Sequence, residues 1–424
     1  MKWRNQLLAL FCLVLFAAFG VFYFQHWVVQ KPFGIVLFIG EGLTPSRLAA
    51  TRVFAGGADA PLSVDSMPHV ALVTNYSNDF AAPDAAAAAS MIATGLKVNN
   101  RSIGAQLRGA AAPTVLDLAR RAGRATGLVT DGKLTGPTAA AFYTRVSDPA
   151  AQLEFARTLT DNLSLDVLLG GGIDDFLPPE KGGIRKDARD LLSEIRQKGF
   201  DLVRTKAELE AIPAWRRPKV FGGFAKTEFA YSGLIEARSE QPSLPDMVRR
   251  AIELLQYNRA GYLLVVDARL MRKAAEQNDA ERTLAETLEL DRAVAAARRY
   301  AGEKSTIIVC GDVGIGGLHL NGMPFRTDRG IAVLGLNSAG DPWFSWATGP
   351  HAARAYGAAK LMAQQSPGNQ SIVAEPPVEP AAFYAPNALE TVEDVVVLAT
   401  GQGSEAFRGT LDNTSIFTVI RDSL

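Results

Sequence analysis

Six short runs of nearly continuous apolar residues, each ending at a glycine or an acidic residue, dominate the pattern of the chain. They lie at Gly34–Gly40, Thr126–Asp131, Asp166–Gly172, Gly261–Asp267, Ser305–Asp312 and Asp394–Gly401. Runs of Val, Ile and Leu without polar alternation are typical of strands buried on both faces of a sheet. Helical patterns separate them, as at Pro245–Tyr257 and Ala275–Ala301. The alternation predicts an α/β fold, a three-layer sandwich with a mostly parallel central sheet flanked by helices.

Acidic residues stand at the ends of three of these predicted strands. They are Glu41, Asp267 and Asp312. In open α/β sheets ligands bind outside the carboxyl ends of the strands, so these carboxylates are predicted to converge on one functional edge. Residues 322–390 contain Pro-rich stretches and are interpreted as a peripheral insertion over that edge.

The N-terminus carries the pattern of a membrane anchor. Lys2 and Arg4 precede an uncharged apolar run, Leu7–Phe24, and Trp27 follows it. The run has about 18 residues, close to the length that spans a bilayer as a helix. Basic residues before such a span favour a cytoplasmic N-terminus. Residues 1–30 are therefore predicted to form a cytoplasmic tip and a single transmembrane anchor.

The remaining chain, 31–424, is predicted to form one domain on the extracytoplasmic (periplasmic) side of the cytoplasmic membrane. Two alternatives to the anchor stay open, a cleaved signal peptide and a buried core helix. The apolar core of a signal peptide usually has about 7–15 residues and ends at small residues, and Ala17-Ala18-Phe19-Gly20 matches that poorly.

Composition narrows the classes of partner. Hydrophobic residues make up 48% and charged residues 21% of the 424 residues, as in an ordinary globular protein. Lys+Arg and Asp+Glu both total 44. This zero net charge argues against a nucleic-acid partner, because binding the phosphate backbone requires a basic surplus. The two cysteines, Cys12 and Cys310, lie in the apolar run and in a predicted core strand, so no disulfide is expected.

Seven longer segments, in order along the chain, resemble those of alkaline phosphatases. They are residues 34–52, 83–104, 126–148, 166–178, 243–294, 307–322 and 403–420. Among them, PDAAAAASMIATG is similar to the family's nucleophile helix, and IIVCGDVGIGGL to a segment usually written Thr-Ala-Asp-His-Glu-Thr-Gly-Gly-Leu. The chain is identified as a divergent member of this family, whose members use a serine nucleophile, two zinc ions and one magnesium ion.

The resemblance places altered residues at most catalytic positions. The nucleophile position falls on Ala85, whose methyl group cannot form a phosphoenzyme. The ligand positions of one zinc ion, an Asp and two His in the family, fall on Arg272, Glu276 and Glu390. Those of the other zinc ion, two Asp and a His, keep two carboxylates and lose the imidazole. They fall on Glu41, Asp312 and Val313.

The magnesium position differs, because its three residues all still offer oxygen. The resemblance places Glu41, Thr138 and Asp267 there, with Asp312 adjacent. Mg²⁺ and Ca²⁺ accept all-oxygen ligands, so a residual site for one of them is a hypothesis, whereas a zinc site is not expected. The alternative is that these acids cap turns at strand ends or pair with Arg269 and Arg272.

Two functions follow as hypotheses. The first is a catalytically impaired pseudophosphatase that binds a phosphorylated ligand or a protein partner, with a homodimer also possible from the family. The second is an active phosphoric-ester hydrolase that uses the residual metal site and a water nucleophile. Candidate anion contacts near the site are Lys133 and Arg145, while the family's phosphate-binding arginine falls on Pro149.

Overall fold

A computed structural model describes residues 2–23, 33–107, 110–144, 148, 150–234, 239–337, 339–352 and 379–424. Its first element is helix α1 (Lys2–Tyr23). Within α1, Trp3–Val21 is long and apolar enough to cross a membrane, and none of it is buried against the rest of the protein. A membrane anchor and a signal sequence both have these properties. Arg145 and Pro149 lie outside the described residues.

The described strands number seventeen, in chain order from β1 to β17. They are β1 (Gly34–Gly40), β2 (His69–Thr74), β3 (Gln106–Leu107), β4 (Ala110–Ala111), β5 (Ala125–Lys133), β6 (Val167–Gly171), β7 (Phe200–Val203), β8 (Lys219–Gly223), β9 (Tyr262–Ala268), β10 (Thr306–Gly311), β11 (Gly314–Ile315), β12 (His319–Leu320), β13 (Phe344–Gly349), β14 (Ala381–Tyr384), β15 (Glu390–Thr391), β16 (Val395–Thr400) and β17 (Gly409–Asp412).

The α-helices after α1 occupy the connections between strands. They are α2 (Pro45–Gly56), α3 (Ala85–Thr94), α4 (Val115–Arg121), α5 (Pro137–Ala140), α6 (Gln152–Asp161), α7 (Leu191–Gln197), α8 (Lys206–Ala211), α9 (Leu244–Leu255), α10 (Leu270–Glu276), α11 (Ala280–Tyr300) and α12 (Ser415–Asp422). Short 3₁₀ helices lie at Ser63–Ser66, Ile173–Phe176, Pro179–Lys181, Ala214–Arg216, Gly330–Val333 and Ser404–Ala406.

Ten strands form the central sheet, in the order β17-β2-β16-β10-β1-β9-β5-β6-β8-β7. All neighbours pair in parallel except β16, which is antiparallel to both β10 and β2. The mostly parallel sheet expected from the apolar runs is confirmed, and all six runs lie in it. Residues 173–240 contribute β7 and β8 to its edge.

The sheet is buried on both faces, as the unbroken apolar runs predict. In β1, Ile35, Leu37 and Ile39 enter one hydrophobic core, which includes residues of α3, α4, α6, α7 and α12. Val36 and Phe38 point to the opposite face and enter a second core with residues of α9 and α11. Successive side chains of a strand point to opposite faces, so one strand serves two cores and the fold has three layers.

The predicted helix at Ala275–Ala301 is divided in the structure. Helix α10 ends at Glu276, and α11 begins at Ala280. Asn278 between them has a left-handed φ of 56°, which no helix interior accommodates. The Asp279 side chain then accepts a hydrogen bond from the Arg282 backbone and caps α11. Helix α10 begins directly after β9, at the carboxyl edge of the sheet, and the break separates it from α11.

The predicted insertion at 322–390 is described only in part. Its described residues include β13 and β14, which form a three-stranded sheet with β12, separate from the central sheet. Trp346, Phe344 and Ala381 pack in a third hydrophobic cluster there. Its role as an insertion stays a prediction.

Candidate functional site

Three carboxylates meet at the carboxyl ends of adjacent central strands. Glu41 follows β1, Asp267 lies in β9 opposite Ile39, and Asp312 follows β10. Their exposed fractions are only 1%, 2% and 1%. Buried ionised carboxylates require compensating charge or hydrogen bonds. The convergence predicted from the strand ends is confirmed, and the question becomes what compensates these acids.

Arg272, on α10, supplies much of this compensation. Its Nε lies 2.8 Å from Glu276 Oε1 and 3.7 Å from Glu41 Oε2. Its Nη2 lies 2.5 Å from Glu390 Oε1, and its Nη1 lies 4.0 Å from Asp312 Oδ2. One guanidinium therefore lies within 4.0 Å of four carboxylates. Two of these acids lie in α10 and β15, and the other two follow β1 and β10. We call Arg272 with these four acids the guanidinium centre.

Arg269 extends the charge network on the side of α10 nearer β9. It lies 3.4 Å from Glu41, 3.2 Å from Glu276 and 3.3 Å from Glu228. Glu228 also pairs with Lys273 at 2.9 Å. The backbone N–H groups of Arg269 and Leu270 both donate to Asp131 Oδ1, at 2.7 and 3.1 Å. Asp131 thus fixes the start of α10 and aims both arginines at the acids.

Burial and like charge alter the ionisation of the strand-end acids. Burial, reinforced by Glu41, raises the pKa of Asp312 to about 7. Burial also raises the pKa of Asp267 well above its ordinary value, with Glu41 and Asp131 adding to the effect. Burial alone would lower the pKa of Arg272, but Glu41, Glu276 and Glu390 outweigh it and raise that pKa instead. The arginine stays charged, while protons are retained on part of the acid cluster.

Arg47 and Asn75 support the same edge and carry no signal in the sequence that would have singled them out. Arg47 is 2% exposed and donates to the backbone oxygens of Glu41 and Ile315, each at 3.3 Å. Asn75 donates to the backbone oxygen of Asp312 and accepts from Asn413 at 2.7 Å. Gly42 N donates to Asp312 Oδ1 at 2.7 Å, and its φ of 85° suits a glycine.

Ala85 is the first residue of α3, and its side chain is 7% exposed. Asp84 caps this helix, because its Oδ1 accepts from Ala87 N at 2.8 Å. The Asp84 Oδ2 accepts from Arg101 N at 2.6 Å. A carboxylate therefore already takes up hydrogen-bond donors at the N-terminus of α3. Ser90 lies further along the helix and accepts from Gly104 N at 2.9 Å.

Comparison with known proteins supports the resemblance. A family model described as alkaline phosphatase matches residues 34–424. The chain belongs to the alkaline phosphatase family. Its relatives include the tissue-nonspecific isozyme of Gallus gallus, 28% identical over 359 residues, which cover 74% of this chain and 68% of that protein. Alkaline phosphatase 4 of Bacillus subtilis (strain 168) is 29% identical over 287 residues, 65% of this chain and 59% of that protein.

Solved alkaline phosphatases share the fold across nearly the whole chain. The structure from Thermus thermophilus has a TM-score of 0.70 at 22% identity and covers 93% of this chain and 92% of that one. A variant of TAB5 alkaline phosphatase, solved with Mg bound in its M3 site, has a TM-score of 0.68 at 19% identity. That match covers 93% of this chain and 98% of that one. At these identities the likeness establishes the three-layer fold.

The residues at the zinc-ligand positions of this family member do not fit zinc. Zinc sites in proteins take their ligands mainly from Cys, His and carboxylate side chains. Here Arg272 carries a fixed positive charge in the middle of the ligand positions, and Val313 is 1% exposed in an apolar cluster. Of the four histidines, His26 is outside the described residues. His69 lies in β2, and His319 and His351 bind the backbone oxygens of Gly317 and Glu379.

The residues at the magnesium position fit a hard cation by donor chemistry. Thr138 Oγ1 and Asp267 Oδ1 are buried and make no hydrogen bond within the described part of the chain. Asp267 Oδ2 accepts from Thr130 at 2.9 Å, and Glu41 is close enough to contribute to the raised pKa of Asp267. Against this, no three His, Cys, Asp or Glu side chains among the described residues are grouped to hold a metal ion. The donor set therefore consists of two carboxylates and one hydroxyl.

Lys133, a candidate anion contact, is already paired. Its Nζ lies 3.4 Å from the buried Asp175 and 3.1 Å from Gln152. Thr135 donates to the same Asp175 oxygen at 2.5 Å. The lysine thus compensates an internal acid next to the sheet edge.

The raised pKa of Asp312 predicts a specific dependence of stability on pH. The folded state holds a proton on this carboxyl up to about pH 7, whereas the unfolded state releases it near its ordinary pKa. This group's contribution to stability is therefore complete in acid and is lost as the pH rises through about 7. Asp312→Asn keeps an acceptor for Gly42 and Val313 but cannot ionise. Its Tm relative to wild type should rise between about pH 5 and pH 8.

Differential scanning fluorimetry across that range measures the effect. The exposed Asp422→Asn variant is the matched control, and its Tm difference from wild type should stay flat. Parallel Tm profiles for wild type and Asp312→Asn would show that Asp312 is ionised throughout the range.

Proposed function

We propose that this chain is a membrane-anchored, extracytoplasmic member of the alkaline phosphatase family that is catalytically impaired and acts by binding. The observation that carries this proposal is the guanidinium centre. Four acids that stand at or beside the family's metal-ligand positions are bound by Arg272, so charge that metals supply in the family is supplied here by a side chain. Arginine cannot be deprotonated in a protein, so it repels an incoming cation at any pH.

The nucleophile position supports the same function. Ala85 offers no hydroxyl, and Asp84 takes up backbone donors at the start of α3. Loss of one member of a cooperative catalytic set reduces kcat by about 10⁴–10⁶-fold, and further losses add little. Because both the serine and the zinc-ligand histidines are replaced, phosphomonoester hydrolysis through a phosphoenzyme is not expected.

The charges at the site indicate what it would bind. Six acids, Glu41, Glu228, Asp267, Glu276, Asp312 and Glu390, face four bases, Arg47, Arg269, Arg272 and Lys273. Burial raises the pKa of Asp267 and Asp312, so fewer than six of these acids are charged near neutral pH and the acids and bases nearly balance. A phosphorylated ligand, a protein partner or a second copy of the chain would then meet paired groups of both signs and no net charge.

The second candidate function is a metal-dependent phosphoric-ester hydrolase with a water nucleophile. The observation in its favour is that three buried oxygens, Thr138 Oγ1, Asp267 Oδ1 and Asp312 Oδ2, make no hydrogen bond to any described residue. Glu41, Thr138 and Asp267 would hold Mg²⁺ or Ca²⁺, which would polarise a phosphoryl oxygen. Asp312, with its raised pKa, could hold a proton beside that site.

Hydrolysis of p-nitrophenyl phosphate by the full-length protein in detergent separates the two functions. Turnover should equal that of buffer from pH 6 to 10 with Mg²⁺, Ca²⁺ or Zn²⁺, and Ala85→Ser should not create it. The Asp312→Asn variant serves as the matched control. Metal-dependent turnover that Asp312→Asn abolishes would overturn the binding function and support the hydrolase. Equal turnover in both proteins would indicate a contaminating enzyme.

A further inference from the structure

The end of the central sheet opposite the candidate site has an unusual charge. In a parallel sheet all amino ends lie at one edge and all carboxyl ends at the other. Among the described residues, nine bases lie within four positions before the first residue of a parallel strand, namely Arg121, Arg124, Arg196, Lys198, Arg216, Arg217, Arg259, Lys304 and Arg408. Four acidic residues lie in the same windows, namely Asp65, Asp166, Glu303 and Glu405. We call this basic end the amino edge.

The carboxyl edge is close to neutral by the same measure. Within four positions after the ends of the parallel strands there are five bases, Arg204, Lys206, Lys226, Arg269 and Arg272. The same windows hold four acids, Glu41, Asp174, Asp175 and Asp312, and the residues before antiparallel β16 add Glu393 and Asp394. By this measure the basic surplus lies at the amino edge and is absent from the carboxyl edge.

Helix dipoles account for only part of this surplus. Helices that precede parallel strands end at the amino edge, and cations near helix C-termini are stabilising. Arg120 and Arg121 at the end of α4 fit that explanation. Arg216, Arg259 and Lys304, in contrast, are exposed residues near or beyond the ends of their helices. In the described part of the chain Arg216 has an ion-pair partner, Asp201 at 3.6 Å, whereas Arg259 and Lys304 have none.

Two exposed aromatic residues lie among these charges. Trp215, which is 71% exposed, lies in the 3₁₀ helix Ala214–Arg216, immediately before Arg216 and Arg217. Tyr257, which is 41% exposed, lies two residues before Arg259. Aromatic rings are enriched at the depth of lipid headgroups, where one end of the ring is apolar and the other is hydrated. Exposed Trp and Tyr beside arginine indicate a lipid surface more than a free anion.

The connection to the N-terminal helix brings the amino edge to a membrane. Ten residues, 24–33, separate α1 from Gly34, the first residue of β1. A fully extended chain of that length reaches about 35 Å, so the amino end of β1 cannot lie far from the end of α1. Phe33, just before β1, lies under Arg124, whose guanidinium is 4.9 Å from the ring centroid. The chain that joins α1 to β1 therefore enters the domain at the basic amino edge.

We propose that the amino edge of the central sheet docks on anionic lipid headgroups, with Trp215 at the headgroup level. This inference rests on the proposed anchoring of α1. Docking directs the carboxyl edge, with the guanidinium centre, away from the bilayer. The seven residues of β1 rise about 23 Å, so the candidate site would face the aqueous compartment up to about that far from the lipid. A soluble partner or ligand then has free access to it.

The test uses the full-length protein in nanodiscs of phosphatidylcholine that carry brominated acyl chains, with or without phosphatidylglycerol. Emission specific to Trp215 is the difference between wild type and Trp215→Phe. Docking predicts at least a twofold quenching of this emission in anionic nanodiscs, weaker quenching in neutral ones, and recovery in 0.5 M NaCl, because salt screens surface attraction. Arg216→Glu/Arg259→Glu should abolish the quenching. The matched control Arg204→Glu/Lys226→Glu, which reverses two exposed bases at the carboxyl edge, should leave it unchanged.

The outcomes distinguish docking from anchoring. Protein that incorporates into nanodiscs but shows no Trp215 quenching overturns docking and leaves the anchor standing. Protein that does not incorporate, but sediments with anionic vesicles at low salt and loses this binding in Arg216→Glu/Arg259→Glu, supports docking without the anchor. Protein that does neither overturns both. Quenching that persists in the charge-reversal variant would overturn the electrostatic surface.

Discussion

Replacing Arg272 with alanine is expected to lower the free energy of unfolding by about 3–5 kcal/mol, because it leaves buried carboxylates without their counter-charge. Glu41 and Asp312 are each 1% exposed, and Arg272 lies near both. Glu276 loses the partner that, with Arg269, holds its pKa below the ordinary value against the effect of burial. Urea denaturation of wild type and variant, fitted with a common m-value, measures the loss.

The control for this variant is Arg282→Ala on the neighbouring helix α11. Arg282 has a side chain 51% exposed and pairs with Asp279 at 3.1 Å, so its removal should change stability by less than about 1 kcal/mol. Millimolar Mg²⁺ or Ca²⁺ should restore part of the stability of Arg272→Ala and none of that of Arg282→Ala. A loss at Arg272 no larger than at Arg282 would show that the acids are compensated by other means.

The fold could be predicted from the sequence because its strands are buried on both faces. Runs such as Gly34–Gly40 leave no polar alternation, and their ends agree with the observed strands to within one or two residues. The prediction of one continuous helix at Ala275–Ala301 was wrong. Nothing in a local helical pattern requires Asn278 to adopt the left-handed conformation that separates α10 from α11. That conformation depends on the tertiary contacts of Asn278 with Thr348 and His351, which are distant in sequence.

The convergence of the acids was predictable, but their compensation was only partly so. Parallel topology alone brings Glu41, Asp267 and Asp312 together, and pairing with Arg269 and Arg272 stood as one of two alternatives. The sequence gives no distances, so it could not show that a single guanidinium contacts Glu276 and Glu390 as well. Arg47, Asn75 and Asp131 were missed because their roles depend on backbone atoms that only the folded chain places beside them.

Under the pseudophosphatase hypothesis, the guanidinium centre supplies the counter-charge that the buried acids of this fold require. A strand-end acid cluster that served a metal site cannot simply lose its metal, because buried carboxylates without a counter-charge are destabilising. Arginine at position 272 meets this requirement without a cation in solution. The fold can then persist while the hydrolytic chemistry is lost, consistent with function residing in sites and not in folds.

Under the pseudophosphatase proposal, placing zinc ligands at these positions should make the protein respond to zinc. In the triple variant Arg272→Asp/Glu276→His/Glu390→His, one carboxylate replaces the guanidinium and two imidazoles replace the acids. Arg272 already contacts both acids, Glu276 at 2.8 Å and Glu390 at 2.5 Å, so the three positions lie close together. Two His and one Asp or Glu are a common protein ligand set for zinc. The variant should be unstable without metal and gain about 2.7 kcal/mol when free Zn²⁺ reaches 100 times its Kd.

Thermal unfolding with and without Zn²⁺, together with the metal content after dialysis, measures this response. Arg272→Asp alone is the matched control, because it removes the positive charge without providing imidazoles, and it should respond to Zn²⁺ far less than the triple variant. Wild type should show no zinc-dependent rise in Tm. A wild-type protein that retains stoichiometric zinc would contradict the assignment of Arg272 as the replacement for metal charge. A triple variant that folds but ignores zinc would show that the three positions do not converge as the ion pairs indicate.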